Sequence, residues 1–365
     1  MRIELTPRER IGGPLALFAP LAAIAVTALI GAAIFLFLGK PPGLALYTYF
    51  VEPLTEFWSL HELAVKAAPL ILIAAGLCVC FRSNNWNIGA EGQFVAGAIA
   101  GSALPILLPE AAGWWLLPAM FAFAMAGGAG WAMIPAICKN RFGASEILVS
   151  LMLVYVATLL LDYLVRGPWR NPEGFNFPES RDFGASAVLP EILSSGAYGG
   201  RAHWGIFIAI VLAILTFVIL HRTLKGFEIS VGGASARAAR FAGFDQRSTT
   251  LFAFLYSGAL AGLAGIIEVS GAIGELRPSI SPGYGFTAII VAFLGRLHPI
   301  AVIGAGLLLA LTYLGGEAAQ ISLGVSDEAT RVFQGVLLFS VLTADTLSRY
   351  RVRLRFERWP APSPP

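Results

Sequence analysis

The stretch that decides the fold is residues 63–93, LAVKAAPLILIAAGLCVCFRSNNWNIGAEGQ. Its first part, 63–81, carries a single charged side chain, Lys66, and matches the roughly 20 apolar residues that a membrane helix needs. Residues 84–93 then hold three Asn, one Glu and one Gln. An apolar span that runs into a polar, glycine-interrupted break is typical of transport proteins, which expose backbone and amide groups at such breaks.

The composition of the whole chain extends this pattern. Of its 365 residues, 57% are hydrophobic and 13% are charged, whereas soluble proteins carry about 25% charged residues. This excludes a water-soluble globular protein, a disordered chain and a disulfide-rich scaffold. The 40 Gly and 22 Pro are compatible with membrane helices, where small residues allow close packing. We expect an all-α polytopic membrane protein with a single transmembrane domain over residues 1–365.

Ten apolar segments are candidate membrane spans, some of them short or broken. They are 15–38, 63–81, 91–109, 114–138, 145–165, 204–220, 249–271, 284–297, 299–316 and 332–347. With a cytoplasmic N-terminus, 17 of the 25 Lys and Arg fall inside and 8 outside, as the positive-inside rule requires. Both termini are then predicted to be cytoplasmic.

Four segments lie outside the spans. They are an N-terminal segment 1–14, an extracytoplasmic loop 166–203, a cytoplasmic loop 221–248 and a basic tail 348–365. The loop 166–203 is either a docking surface or a connector. In 221–248, an alanine-rich stretch predicts a short helix opening at Gly232-Gly233. This loop is either an ordinary basic loop or the contact for a cytoplasmic partner.

Motifs of bond-making chemistry are absent from the sequence. There is no G-x-x-x-x-G-K-[ST], H-E-x-x-H, C-x-x-C or G-x-S-x-G pattern, and these would mark nucleotide, metal, redox and hydrolase sites. The three Cys lie in or beside apolar runs and are interpreted as small buried hydrophobes. We therefore predict no catalytic residue and no metal site in this chain.

The polar break is the main candidate for a site. Asn and Gln offer donors and acceptors to a neutral polar ligand, and an ionisable Glu91 at a span start is costly unless it is used. The alternative is a short interfacial hairpin. A second glycine-rich break, 281–299, contains Phe286, and two such breaks fit a central binding site.

Two further features have structural interpretations. Ser145 is expected to cap the helix that begins at Glu146, and substrate contact by Glu146 is the alternative. Gly258, Gly262 and Gly265 form a small-residue face that predicts helix packing.

Four motifs together resemble a known family. Asn87–Gln93 (NIGAEGQ), Glu146–Leu153 (EILVSLML), Gly232–Gly243 (GGASARAARFAG) and Gly283–Gly295 (GYGFTAIIVAFLG) are similar, in order and spacing, to elements of ABC-importer permeases for simple sugars and nucleosides. The resemblance spans about residues 63–345 and rests most on NIG-x-EGQ.

The resemblance implies an inner-membrane, binding-protein-dependent importer subunit, paired with a like or sister permease chain. Cytoplasmic ATP-binding subunits would carry ATP and Mg²⁺, so no cofactor is expected in this chain, nor any nucleic-acid partner. The implied residues fall into two groups. The substrate pathway comprises Asn84, Asn87, Glu91, Gln93, Tyr155 and Phe286. The ATPase-coupling set comprises Gly232, Gly233, Ala234, Ser235, Arg237, Ala239, Arg240 and Gly243.

Three departures from the family pattern are visible. Val154 stands where nucleoside-type members have an amide, which weakens a nucleoside assignment. Ser230 stands where the family usually has an Arg, and Gly233-Ala234-Ser235 lacks the usual Asn and Pro. These two departures bear on which ATP-binding subunit this chain would pair with.

Two other classes remain alternatives at this stage. A gradient-driven secondary transporter would use a coupling carboxylate, for which Glu91 is the candidate. A lipid-modifying membrane enzyme would need a cluster of His, Asp or Glu at one interface, and the sequence shows none.

Overall fold

The computed structural model describes residues 2–7, 15–192 and 200–355. Within these ranges the chain is nearly all helical. The helices are α1 Leu15–Phe37, α2 Pro42–Phe50, α3 Glu52–Thr55, α4 Phe57–Arg82, α5 Ala90–Leu107, α6 Leu116–Phe142, α7 Glu146–Arg166, α8 Gly205–Arg222, α9 Leu224–Ala234, α10 Ala236–Phe241, α11 Gln246–Glu268, α12 Tyr284–Leu294, α13 Pro299–Leu323 and α14 Asp327–Arg349.

Seven helices in the described residues are long and apolar enough to cross a membrane. These are α4, α5, α6, α7, α8, α11 (with the π-helical turn that follows it) and α13. Shorter apolar helical stretches occupy Ala25–Phe37, Tyr284–Leu294 and Arg331–Ser340. Each of the ten predicted spans therefore falls on a helix, and the prediction of an all-α polytopic membrane fold is confirmed.

Two helices in the structure differ in extent from the predicted segments. The helix over the predicted span 299–316 continues to Leu323, where Gly324 (φ 64°) ends it, and Glu317 in the added turns pairs with Lys66. The short helix expected to open at Gly232-Gly233 begins instead at Ala236, where the hydroxyl of Ser235 accepts from the backbone N–H of Ala238.

The start of α7 also differs from expectation. Ser145 occupies the N-cap position but makes no side-chain cap hydrogen bond. The carboxylate of Glu146 instead pairs with Lys139 at 2.6 Å. The expected hydrogen bond from Ser145 is therefore wrong, and the Glu146 side chain is held by an ion pair with the preceding helix.

Helix α11 lies at the centre of the fold and packs on α4, α5 and α6. Its glycines allow backbone contact, since a Cβ at Gly262 would overlap the carbonyl of Ala124, and one at Gly265 would overlap the carbonyl of Phe94. In the same crossing, a Cβ at Gly128 of α6 would overlap the carbonyl of Gly258. Close approach of this kind strengthens dispersion contacts between membrane helices.

The described part of the loop 166–203 is tied to the end of α11. The backbone N–H groups of Ser180, Phe183 and Leu189 donate to the carbonyls of Leu276, Gly274 and Ser270 at 2.8–2.9 Å. Burial lowers the pKa of His203, at the end of this loop, to about 4, so its ring is neutral at physiological pH. Residues 180–189 of the loop are therefore packed on the end of α11, whereas Phe175 and Phe177 before them are exposed.

The chain ends meet in a small sheet. Strand β1 (Arg2–Pro7) pairs antiparallel with β2 (Tyr350–Arg355), with Arg2 opposite Arg355. The predicted terminal segments 1–14 and 348–365 otherwise lie partly outside the described residues. The pairing places the two termini at the same end of the helical domain.

Candidate functional site

The polar break between α4 and α5 folds into a closed amide pair. Asn87 Nδ2 donates to Gln93 Oε1 and Gln93 Nε2 donates to Asn87 Oδ1, both at 2.9 Å. Asn87 Nδ2 also reaches Ser257 Oγ of α11 at 3.1 Å, and Asn87 Oδ1 accepts from the N–H of Gly89. All the hydrogen-bonding positions of the Asn87 amide are thus used within the chain.

A second network lies beside this pair, around Asn85. Lys139 Nζ donates to Asn85 Oδ1 at 2.8 Å and pairs with Glu146 Oε1 at 2.6 Å. Thr250 Oγ1 donates to the same Asn85 oxygen at 3.1 Å. These contacts join α6, α7 and α11 to the break, so its conformation is held by three helices.

Glu91 connects the two glycine-rich breaks. Its Oε2 accepts from the backbone N–H of Gly285 at 2.6 Å, and the hydroxyl oxygen of Ser281 accepts from the N–H groups of Gly283 and Tyr284. Gly283, the N-cap residue of α12, has no side chain for this purpose and adopts φ 101°. The carboxylate of Glu91 therefore caps the first turn of α12 from another helix, next to the positive end of that helix dipole.

The other predicted pathway residues do not gather around this group. Asn84 is exposed with φ 57°, and Tyr155 is 62% exposed on α7. Phe286 follows Gly285 directly and is 42% exposed. Of the six, Asn84, Asn87, Glu91 and Gln93 lie in the first break and Phe286 in the second, while Tyr155 lies on α7, outside both.

The predicted coupling loop forms the helical pair α9–α10. Gly233 lies so close to the carbonyl of Arg82 that a Cβ would overlap it, and Gly232 and Ala239 are buried. Ala234, Ser235, Arg237 and Arg240 are exposed, and Gly243 (φ 80°) follows the end of α10. Phe241, which sequence reasoning missed, is 98% exposed at the tip. A wholly exposed aromatic flanked by arginines is typical of a protein contact.

A second group of charges, outside the predicted site residues, lies at the C-terminal end of α11, where Glu268 is buried rather than interfacial. Glu268 ends α11 with 8% of its surface exposed, and its Oε1 accepts from Tyr284 Oη at 3.4 Å. Nearby, Lys66 pairs with Glu317 at 2.7 Å and Glu62 with Arg201 at 3.0 Å. The sequence feature that could have indicated them is the presence of Lys66 and Glu268 inside apolar spans, where burying an ionisable group costs free energy.

Comparison with known proteins decides the family. Residues 59–342 match the model of the family described as "Branched-chain amino acid transport system / permease component". The chain belongs to this family of transport permeases. The resemblance drawn from the four motifs is thereby confirmed.

The relatives of this permease include sugar and nucleoside transporter subunits. It is 36% identical to the glucose ABC transporter permease protein TsgB13 of Haloferax volcanii, over 98% of this chain and 95% of that one. It is 28% identical to the guanosine ABC transporter permease protein NupP of Bacillus subtilis, over 90% of this chain and 93% of that one. It is 27% identical to the nucleoside ABC transporter permease protein NupB of Lactococcus lactis, over 88% of this chain and 89% of that one.

One solved structure is also similar to the permease. This is an inward-facing conformation of a putative metal-chelate type ABC transporter, with 16% identity, 91% of this chain and 100% of that chain covered, and a TM-score of 0.46. At that score the likeness does not establish a common fold.

Membership of an ABC permease family assigns the chain its general role. It is a multi-pass transport subunit of an ABC importer and not an enzyme, and ATP hydrolysis belongs to separate ATP-binding subunits.

Proposed function

We propose that this permease carries a simple sugar or a nucleoside in a binding-protein-dependent importer of a bacterial inner membrane. The substrates in the names of its relatives, glucose, guanosine and nucleosides, support this class. A second permease chain, like or sister, would complete the membrane pathway, and an extracytoplasmic binding protein would deliver the solute. ATP and Mg²⁺ would reside on the ATP-binding subunits, with no cofactor in this chain.

The observation that carries the coupling proposal is the tip of α9–α10. Phe241, Arg237 and Arg240 are exposed, while Gly233 packs against the end of α4. A partner that binds the tip would move α9 against α4, whose next residues form the polar break. We therefore infer that ATP-driven motion enters the helical domain at the contact between Gly233 and Arg82.

The pathway is proposed to pass the two breaks, at Glu91 and Phe286. Asn87 and Gln93 would reach a solute only after their mutual hydrogen bonds open, because their amides are paired in this conformation. Asn84 and Tyr155 remain members of the proposed pathway with no contact to this group.

The test is purification of the tagged chain from native membranes in mild detergent, with mass spectrometry of what accompanies it. A stoichiometric ATP-binding subunit and a second permease-like chain are expected. Recovery of the chain alone, monodisperse and at good yield, contradicts the proposal and favours a gradient-driven carrier.

A Phe241→Asp variant tests the coupling surface. Burying a carboxylate in the contact is costly, so the ATP-binding subunit should be lost from the purified complex while membrane insertion is unchanged. Phe177→Asp is the matched control, since Phe177 is an exposed aromatic residue (64%) in the opposite, extracytoplasmic loop. Unchanged co-purification with Phe241→Asp would place the contact elsewhere.

A further inference from the structure

A cavity of about 580 Å³ opens between α6 and α11, at the helix ends that the positive-inside rule places in the cytoplasm. It is lined by Ile137, Asn140, Arg141, Asp245, Arg247, Ser248 and Leu251. Its volume falls within the range of small-molecule sites, about 300–1,000 Å³. None of these lining residues belongs to the predicted pathway or to the predicted ATPase-coupling set, so the functions assigned above leave the cavity unexplained.

Two arginines carry the positive charge of this lining. Arg141 in the last turn of α6 and Arg247 in the first turn of α11 are both exposed. Neither forms an ion pair with any of the described residues, so both guanidinium groups are available to a ligand. A guanidinium is a planar fork of N–H donors that matches the oxygens of a phosphate. Two such forks at one cavity favour a ligand that carries an anionic phosphate.

Asp245, the acid in the lining, is already engaged by the backbone of α11. Its Oδ1 accepts from the N–H of Arg247 at 3.0 Å and its Oδ2 from the N–H of Ser248 at 3.2 Å. The carboxylate thus caps α11 and offsets the positive end of that helix dipole. The attraction for an anion therefore comes from the two arginines and not from the helix terminus. Asn140 joins the two walls, since its Nδ2 donates to the carbonyl of Arg247 at 3.0 Å.

The apolar part of the lining runs toward the membrane interior. Ile137 lies one turn before Arg141 on the same face of α6, and Leu251 lies one turn after Arg247 on the same face of α11. Ile134 continues the face of Ile137, and both are 39% exposed. The cavity is therefore charged at the membrane surface and apolar below it. A ligand with an anionic head and a hydrocarbon chain matches both parts.

We propose that this cavity binds an anionic phospholipid of the inner leaflet, with Arg141 and Arg247 on its phosphate. An acyl chain of the same lipid lies along Ile137 and Leu251. Basic pockets between the cytoplasmic ends of membrane helices suit anionic lipid headgroups. An acidic side chain of a partner subunit would use the arginines alone and leave the apolar part of the cavity unfilled, whereas a lipid uses both.

A lipid bound here would bridge the ends of two helices that support the polar break. Lys139 of α6 and Thr250 of α11 both donate to Asn85 Oδ1, at 2.8 and 3.1 Å. Each of these two residues lies within two positions of a cavity-lining residue on its own helix. The lipid would thus hold α6 against α11 beside this network, whatever solute the permease carries.

The test is native mass spectrometry of the complete transporter in detergent, titrated with dioleoylphosphatidylglycerol or dioleoylphosphatidylcholine. These lipids share their acyl chains and differ in headgroup charge, and we expect tighter binding of phosphatidylglycerol. Arg141→Gln and Arg247→Gln should each weaken that binding about fivefold, the worth of one cation beside an anionic lipid. Arg222→Gln is the matched control and should bind like the wild type, because Arg222 is an exposed arginine at the end of α8 that does not line the cavity.

Two further variants separate a site from general attraction to a basic surface. Asp245→Asn keeps a capping oxygen for α11 and removes the negative charge from the lining, so it should tighten the binding of phosphatidylglycerol. Ser248→Trp leaves the charge unchanged and fills the cavity, so it should weaken that binding. Wild-type binding by Ser248→Trp would overturn the cavity as the site.

The remaining outcomes also contradict the proposal. Equal binding of the two lipids, or an equal loss in Arg222→Gln and Arg141→Gln, would show that this cavity does not recognise the headgroup. Displacement of phosphatidylglycerol by an equimolar amount of inorganic phosphate would assign the arginines to a free anion. Loss of the ATP-binding subunit from the Arg141→Gln complex, with lipid binding unchanged, would make the cavity a contact between subunits.

Discussion

At the scale of single residues, Glu91 shows how one side chain can hold two helices together. It lies in the first turn of α5, where its own helix dipole favours a negative charge. Its carboxylate accepts from the N–H of Gly285 in the first turn of α12. Two helix N-termini therefore meet at one carboxylate, and the contact needs an acceptor more than it needs a charge.

We predict that Glu91→Ala lowers the stability of the permease more than Glu91→Gln does. Alanine leaves the buried N–H of Gly285 unsatisfied, at a cost of about 1–3 kcal/mol, whereas glutamine keeps an acceptor oxygen. Thermal unfolding of the purified complex measures the difference. Transport by Glu91→Gln should be largely retained, since ATP drives it; complete loss would instead indicate a proton-coupling carboxylate.

At the scale of elements, the crossing of α11 with α5 and α6 depends on glycine. Gly97 of α5 lies against Gly262 of α11, and Gly128 of α6 lies against the carbonyl of Gly258. No other residue allows backbones to approach this closely, because the Cβ itself would overlap main-chain atoms. The crossing sits beside Ser257, the contact of Asn87, and so supports the polar break.

We predict that Gly128→Ala destabilises the permease while Gly130→Ala does not. Both glycines lie on α6, but a Cβ at Gly130 meets nothing within 4 Å, whereas one at Gly128 overlaps the backbone of α11. Overpacking of this kind costs about 1–3 kcal/mol. The Tm of each variant in detergent measures this loss of stability. Equal Tm values for the two variants would contradict the prediction, because they would show that α6 and α11 move apart at no cost.

At the scale of the whole molecule, the distribution of Lys and Arg predicts the orientation. The eight cations placed outside by the positive-inside rule include Lys66, Arg166, Arg201 and Arg277, each of which pairs with an acid. The rule counts Lys and Arg rather than net charge, so these ion pairs leave the predicted orientation unchanged. The pairing of β1 with β2 agrees with two termini at one end.

We predict that an impermeant maleimide labels Glu173→Cys on intact cells and labels Arg240→Cys only after the membrane is opened. Both positions are exposed, in the loop 166–203 and on α10 respectively. Cys78 and Cys80 are buried and are not expected to react with the maleimide. Cys138 is replaced by Ser in both variants. The reverse labelling pattern would invert the assigned orientation.

The sequence by itself determined the class of fold, the ten helical segments and the family. These depend on the lengths of apolar runs and on local motifs, because a membrane admits few structures other than helices. It also located the two breaks and predicted one short helix in 221–248, where the structure has two, α9 and α10.

Only the tertiary structure decided how the polar groups are used. The capping of α12 by Glu91, the closed amide pair of Asn87 and Gln93, the partners of Lys66 and the hydrogen bond of Tyr284 to Glu268 all join residues distant in sequence. Hydrogen bonds and ion pairs act over about 3 Å. Which polar atoms come that close depends on how the helices cross, and the local periodicity of the sequence does not determine the crossing.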